Sequence, residues 1–127
     1  SPRPICFAST IDALGRPNLA PFSFFNVVSA NPPVVVFSPN NSGRDGTPKQ
    51  TYLNAKAVPE VVVNVVSYEM VEQMNVAAAP WEHGASEFEK AGFTAVASDL
   101  VKPFRVAESP VQIECKVIDI KEFGEGG

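Results

Sequence analysis

Apolar and polar positions alternate over several short stretches of the chain, the pattern of half-buried β-strands. Strands are predicted over 4–11 and 16–21, and a turn over 12–15 that ends in glycine joins them into a hairpin. Two further strands, over 34–38 and 61–66, are so continuously apolar that we expect both of their faces to be covered.

Helical spacing and helix-start residues predict two helices between these strands and the end of the chain. The first covers 48–57, with Thr47 as its expected N-cap. The second covers 68–77, and Val71 and Met74 are spaced to face inward on it.

A third, shorter helix is predicted between Ser86 and Gly92. Ser86 and Glu89 have the spacing of a capping box, in which each side chain bonds to a free backbone N–H of the first turn. Glycine is the usual residue just past a helix C-terminus, so Gly92 is expected to end this helix.

The last strand has the clearest alternation in the chain. One face carries Val111, Ile113, Cys115 and Val117, and the other carries Gln112, Glu114 and Lys116. The apolar phase then shifts by one residue to Ile118 and Ile120, which predicts a β-bulge. The whole order indicates a mainly β fold, an antiparallel barrel with helical insertions, formed by one domain over 1–127.

Composition narrows the classes of function. The chain has 127 residues, of which 45% are hydrophobic and nine are Phe, so it can bury a core and is not disordered. No apolar run approaches the ~20 residues of a membrane-spanning helix. The net charge of −4 and the lack of a basic cluster argue against nucleic acid as a partner.

Residues that often carry catalysis or bind metals are sparse. His83 is the single histidine, which excludes a metal site with two or more histidines and argues against a hydrolytic triad. Cys6 and Cys115 lie in apolar strand contexts and are expected to be buried thiols, although a disulfide is left open. With no signal-peptide pattern, we expect a reducing, cytoplasmic setting. The acidic residues of the predicted helices are expected on solvated faces: Glu69, Glu72, Glu82, Glu87 and Glu89.

Three polar segments interrupt the apolar pattern, at 9–10, 18–26 and 44–51. The first two lie close together because the hairpin joins them. The third places cationic and hydroxyl side chains around a helix start, where free backbone N–H groups favour an anion. These are Arg44, Thr47, Lys49 and Thr51. Two interpretations stay open at this point, a phosphate site and a solvated loop that begins a helix.

Longer motifs, in collinear order over nearly the whole chain, carry a resemblance. They are Pro2-Arg3-Pro4-Ile5, Ser9-Thr10-Ile11-Asp12, 15–26, Pro32-Pro33, Lys49-x-Thr51-x-x-Asn54, Phe88-x-x-Ala91-Gly92-Phe93-Thr94, Leu100-Val101-Lys102-Pro103 and Val106-x-Glu108-Ser109-Pro110-Val111-x-Ile113-Glu114-Cys115. Together they resemble the flavin reductase-like family with the FMN-binding split barrel. The resemblance implies a homodimer that holds FMN non-covalently and uses NAD(P)H as the hydride donor. Family members pass reduced flavin to a partner monooxygenase or act as electron carriers.

The resemblance also implies which residues bind the cofactor. The segment bordering the flavin ring and its side chain would be Asn18 and Ala20, Pro21, Phe22, Ser23 and Phe24. Hydrogen bonds to the flavin would come from Ser9, Thr10 and Asn26, and the phosphate would be held by Ser38, Arg44, Lys49 and Thr51. No separate catalytic residue is implied, because the flavin itself performs the redox chemistry. At least two of Phe22, Phe24 and Phe25 are expected in the core. Trp81 and His83 are expected in a surface loop, with a lid over the ring or a dimer contact as the alternatives.

The chain departs from the family pattern in two places. Gln50 stands where the family commonly has Asp, between Lys49 and Thr51. The family also continues past Gly126-Gly127 with a further strand, and the chain opens at Ser1-Pro2 without Met, so we expect it to be a piece of a longer chain, truncated at both ends. Two alternatives to an NAD(P)H-dependent reductase stay open, an electron carrier with little NAD(P)H activity and a split-barrel module without flavin.

Overall fold

Eight strands and three α-helices form the described part of the chain. A computed structural model describes residues 6–22, 25–30, 33–37, 50–77 and 86–120, with the backbone alone for 6, 25–30 and 33–37. The strands are β1 (Cys6–Ile11), β2 (Pro17–Phe22), β3 (Phe25–Ala30), β4 (Pro33–Phe37), β5 (Glu60–Val65), β6 (Ala95–Val96), β7 (Arg105–Val106) and β8 (Gln112–Lys116). The helices are α1 (Gln50–Ala57), α2 (Val71–Ala77) and α3 (Glu87–Ala91). In these residues, no helix is long and apolar enough to cross a membrane.

The main sheet has four strands in the order β2-β1-β5-β8, and every neighbouring pair is antiparallel. β3 pairs with β4, and β6 with β7, in two further antiparallel hairpins. The predicted mainly β, antiparallel fold with helical insertions is confirmed.

The turn between β1 and β2 is built by local hydrogen bonds. Asp12 Oδ1 accepts from the backbone N–H groups of Leu14 at 2.9 Å and Arg16 at 2.8 Å. Its Oδ2 accepts from Arg16 Nε at 2.6 Å. The backbone N–H of Arg16 in particular holds the pKa of the Asp12 carboxyl below its ordinary value. Gly15 takes a φ of +84°, which only glycine adopts at little cost, so the predicted reversal is confirmed.

One face of the sheet packs against α2 and α3. Phe7 and Leu19 lie on this face and are fully buried, and the Phe7 ring meets that of Phe93 edge-on with 5.3 Å between centroids. Together with side chains from the helices and loops, these residues form one apolar cluster, which we call the helix-side core. Its buried members are Phe7, Leu19, Met70, Met74, Ala77, Phe88, Ala91, Phe93 and Val106.

The inward face of the second predicted helix differs from the expectation. A 3-10 turn at Tyr68–Met70 precedes α2, and it carries one side chain of the helix-side core, Met70. Met74 is buried as expected, but Val71 is 38% exposed and its predicted inward position is wrong. The buried positions are Met70, Met74 and Ala77, spaced by four and three residues along one helical face.

The opposite face of the sheet carries a second apolar cluster. Its buried members are Ala8, Phe22, Val61 and Val63, with Ile113, Cys115 and Val117 packed beside them. β5 is therefore covered on both faces within one chain, as its apolar sequence predicts. Phe22 is in the core, whereas the side chains of Phe24 and Phe25 lie outside the described residues.

The two cysteines are on strands that are not neighbours. Cys6 of β1 pairs with Val65, and Cys115 of β8 pairs with Val61. The two cysteines are therefore separated by the width of β5 and by four residues along it. Their Cα atoms are farther apart than the ~7 Å limit for a disulfide, so a bond between them within one chain is excluded. Cys115 is a free, half-buried thiol, and burial raises its pKa.

The predicted bulge at the end of the last strand does not form. β8 ends at Lys116, and the backbone N–H of Val117 donates to the carbonyl of Pro59, the residue before β5 begins. Because proline offers no N–H, the ladder cannot continue there, and Ile118 is 80% exposed. In the described strands the register shifts instead in the β3–β4 hairpin, between Val27 and Ser29.

The ends of α3 follow one prediction and contradict another. Gly92 has a φ of +78°, and its backbone N–H donates to the carbonyl of Glu89. The backbone N–H of Phe93 donates to the carbonyl of Phe88, so α3 ends at a glycine as predicted. Ser86 is at the N-cap position, but its side chain makes no capping hydrogen bond, so the predicted capping box is wrong. Glu87, in the first turn, accepts a hydrogen bond from Leu19 of β2, as described below.

Candidate functional site

A pair of buried polar side chains stands at one position of the β1–β2 ladder. Thr10 and Asn18 are direct register partners, and both are buried. The sequence prediction that the 9–10 and 18–26 segments meet through the hairpin is thus confirmed for this pair. We call Thr10 and Asn18 the polar rung.

The N-terminal half of α1 is fastened to this rung by side-chain hydrogen bonds. Asn18 Nδ2 donates to Thr51 Oγ1 at 3.0 Å, across 33 residues of sequence. Asn54 Nδ2 donates to Thr10 Oγ1 at 3.2 Å, and Gln50 Nε2 donates to Asn54 Oδ1 at 2.5 Å. The first two residues of α1 are therefore linked to the hairpin, Thr51 directly and Gln50 through Asn54.

These hydrogen bonds supply partners to polar side chains that are buried. Thr51 and Asn54 are 1% and 2% exposed, and a buried polar group that lacks a partner costs ~1–3 kcal/mol. The buried residues of α1 are Thr51, Asn54 and Ala55. Two of these three are polar, so hydrogen bonds attach much of the inner face of α1 to the sheet. A hydroxyl that accepts from Asn18 keeps its own proton to donate, so Thr51 retains the capacity to bond an anion.

Ser9 lies on the other face of β1, beside Phe7. Its hydroxyl is fully buried and has no hydrogen-bond partner among the described residues. Strand alternation separates Ser9 from the polar rung, since neighbouring side chains point to opposite faces. The structure thus brings Thr10, Asn18 and Thr51 together and keeps Ser9 apart from them.

Among the described strands, β2 lies at one edge of the main sheet, and its composition suits that place. The backbone N–H of Leu19 points away from β1, to Glu87 Oε1 at 3.1 Å. Pro17 and Pro21 lie two residues to either side, so the alternation of the ladder puts their missing N–H groups on this same outer edge. The outer edge therefore offers mainly carbonyl oxygens, while the side chains of Ala20 and Pro21 are half-buried.

Glu87 corrects one expectation from the sequence. It is half-buried and bonded to β2 rather than solvated, whereas Glu69, Glu72 and Glu89 are exposed as expected. Burial raises the pKa of the Glu87 carboxyl, and hydrogen bonds from the backbone N–H groups of Glu87 itself and of Leu19 only partly offset this. Ionisation of Glu87 therefore opposes folding as the pH rises through its pKa, and its bond ties α3 to the edge of β2.

Several sequence-predicted residues fall outside the described part of the chain. These are Ser23, Phe24, Ser38, Arg44 and Lys49, and the Trp81 and His83 loop is also outside it. Asn26 lies in β3, where the backbone alone is described. The predicted helix over 48–57 is confirmed from Gln50 onward, and its expected N-cap Thr47 also lies outside.

Asn54 and Gln50 were not predicted as site residues. The signal that could have found them is their spacing of four residues, which puts both on one face of α1 with Thr51 close by. A face that is polar, although it packs against a strand, indicates specific hydrogen bonds rather than a simple apolar core.

The donors and acceptors of this region suit a flavin nucleotide. Carbonyl oxygens on a strand edge match the imide N–H of a flavin ring, and a hydroxyl at a fixed helix start matches a phosphate. In chemical type, these donors and acceptors therefore match the groups that a flavin nucleotide presents.

Comparison with known proteins agrees with this chemistry. The family model described as "Flavin reductase like domain" matches residues 1–126. An uncharacterized protein of Halalkalibacterium halodurans is 43% identical over 126 residues, which is 99% of this chain and 60% of that protein. The chain thus spans less than two thirds of this relative.

Solved structures share the architecture. Nitrilotriacetate monooxygenase component B from Bacillus cereus superposes with a TM-score of 0.88 at 30% identity, covering 98% of this chain and 62% of that one. Flavoredoxin of Desulfovibrio vulgaris superposes with a TM-score of 0.80 at 22% identity, covering 98% and 64%, and this likeness shows the fold alone. The resemblance drawn from the motifs and the predicted split barrel are both confirmed, and the chain belongs to the flavin reductase-like family.

Proposed function

We propose that this chain is the FMN-binding part of an NAD(P)H-dependent flavin reductase that supplies reduced flavin or electrons to a partner protein. A bound flavin supplies the hydride and electron chemistry, so the chain's own residues need only bind it, orient it and set its surroundings. The family and its flavin-related oxidoreductase character support this proposal. The proposal goes further than this in four respects: the flavin is FMN, the donor is NAD(P)H, a partner protein receives the reduced flavin or electrons, and the setting is cytoplasmic.

The observation that carries the proposal is the hydrogen bond from Asn18 to Thr51. It joins the β2 segment, which would border the flavin ring, to the start of α1, which would face the phosphate. The two ends of a flavin nucleotide would then be received by elements held at a fixed separation. The Pro21 and Leu19 carbonyls on the β2 edge would accept from the ring, and Thr51 would donate to the phosphate.

We expect the purified full-length protein to bind FMN at close to one per chain. It should be yellow, and titration with micromolar FMN should quench flavin fluorescence until the sites are filled. An NAD(P)H oxidation assay on the same preparation then tests the donor, followed by loss of the reduced nicotinamide absorbance.

The outcomes separate the alternatives. Bound FMN with NAD(P)H oxidation supports the reductase, and bound FMN without it favours an electron carrier. Colourless protein that fails to quench FMN fluorescence would contradict the proposal and leave a split-barrel module without flavin. Comparing NADH with NADPH in the same assay assigns the donor.

We also propose that the protein is a homodimer with the flavin near the subunit interface. The proposal rests on the resemblance to the family, and β5 adds no support because both of its faces are covered within one chain. Light scattering should give twice the mass of one chain, and a monomer at micromolar concentration would refute the dimer.

A further inference from the structure

We propose that Asn54 and Gln50 are positioning residues for the flavin phosphate, acting by fixing the start of α1 on the β1–β2 hairpin. The inference rests on the proposed function and adds to it two residues that do not touch the ligand. They act on Thr51, the residue between them and the one expected to bond the phosphate.

The geometry ties the helix start to a single position of the ladder. Thr10 and Asn18 face each other across β1 and β2, and each holds one side chain of α1. Asn18 bonds Thr51 directly, while Thr10 bonds Asn54, whose carbonyl oxygen accepts from Gln50. Two attachments, on two strands, fix the rotation of the helix about its axis as well as its distance from the sheet.

The amide of Asn54 is well suited to this connection. It donates with its nitrogen to Thr10 and accepts with its oxygen from Gln50, so both of its polar ends are used while the side chain is fully buried. A carboxylate at position 50, which has no hydrogen to donate, could not make the second bond. Gln50 makes this bond because its side-chain amide nitrogen carries hydrogens to donate.

A merely structural role predicts something different from a positioning role. If Asn54 only stabilised the fold, its loss would lower the melting temperature and weaken every flavin equally. If it positions the helix start, its loss moves Thr51 relative to the β2 edge and weakens ligands with a phosphate more than those without. Riboflavin carries the same ring as FMN and no phosphate, so the ratio of the two dissociation constants is the readout.

The test uses the full-length protein and two variants. Asn54→Leu removes both polar ends at similar volume, and Gln50→Ala removes the half-buried outer link and is the milder change. Each should raise the Kd for FMN by about 3–10-fold, the effect of losing the one hydrogen bond from Thr51 to the phosphate, and change the Kd for riboflavin by less than about twofold.

Matched controls come from the other face of the sheet. Asn64 is also fully buried, donating to the Phe7 carbonyl and accepting from the Val106 N–H, and Gln73 bonds the carbonyl of Ala91. Neither bonds α1 in these contacts. Asn64→Leu and Gln73→Ala should lower the melting temperature and leave the FMN-to-riboflavin ratio of Kd values unchanged.

The outcomes are distinct. A lowered preference for FMN in the α1 variants, with unchanged ratios in the controls, supports the positioning role. An unchanged ratio in Gln50→Ala and in any folded Asn54→Leu overturns the inference alone, provided that the wild type binds FMN. A wild type that binds neither flavin overturns the proposed function and this inference with it.

Discussion

Replacing Lys49 by alanine is expected to weaken FMN binding by roughly 10- to 100-fold. Lys49 immediately precedes α1, whose start is fixed by Asn18 and Asn54. A phosphate there would meet the ammonium group, free N–H groups of the first turn and the hydroxyl of Thr51. One charge-assisted hydrogen bond is worth ~1.5–3 kcal/mol, and ~1.4 kcal/mol corresponds to a tenfold change in Kd.

Riboflavin is the control ligand for this variant. Its binding should be almost the same in the wild type and in Lys49→Ala, because it lacks the phosphate. Lys56, in the last turn of the same helix, is the matched control residue, since it is exposed and lies over the ring of Tyr52. Lys56→Ala should leave both ligands unaffected. An equal loss of FMN and riboflavin in Lys49→Ala would mean that Lys49 supports the fold or the ring.

Phe7→Ala is expected to be the most destabilising single change among the core positions described. Phe7 is fully buried in the helix-side core and meets Phe93 edge-on. Truncating a buried phenylalanine costs ~3–5 kcal/mol, a large part of the ~5–15 kcal/mol that holds a domain folded. The midpoint of urea unfolding, followed by circular dichroism, should fall accordingly or the folded state should be lost.

Phe104 provides the comparison. It is only partly buried at the border of the same core, with its ring 6.5 Å from that of Phe88. Phe104→Ala should therefore cost clearly less, because less apolar surface is lost and water can enter the vacated space. Equal losses for the two variants would contradict the assignment of Phe7 to the centre of the core.

Local features of this fold could be predicted because neighbouring residues produce them. The hairpin turn needs only the carboxylate of Asp12, the N–H groups of Leu14 and Arg16, and a glycine with positive φ. The end of α3 needs only Gly92 and two carbonyls of the preceding turn. Alternation likewise placed Ile113 and Cys115 on one face, because side-chain direction in a strand follows from position alone.

Features that depend on distant residues were missed or wrongly predicted. Glu87 looked like a solvated helix residue, yet it bonds Leu19, 68 positions earlier in the chain. The phase shift at Ile118 looked like a bulge, but Pro59 ends the neighbouring ladder. Val71 had helical spacing, but Met70, in the 3-10 turn before α2, is the buried residue instead.

The candidate site likewise combines local features with features that depend on distant residues. By itself the sequence determined the strand and helix types, the polar character of the three segments and the family, because these follow from local patterns and motifs. Only the tertiary structure decided that Thr10 and Asn18 share one rung, that the buried hydroxyl of Ser9 lacks a partner among the described residues, and that Asn54 and Gln50 join the helix to the sheet. These contacts span 33 and 44 residues between β1–β2 and α1. Strand register and helix rotation set them, and neither can be read from composition or periodicity.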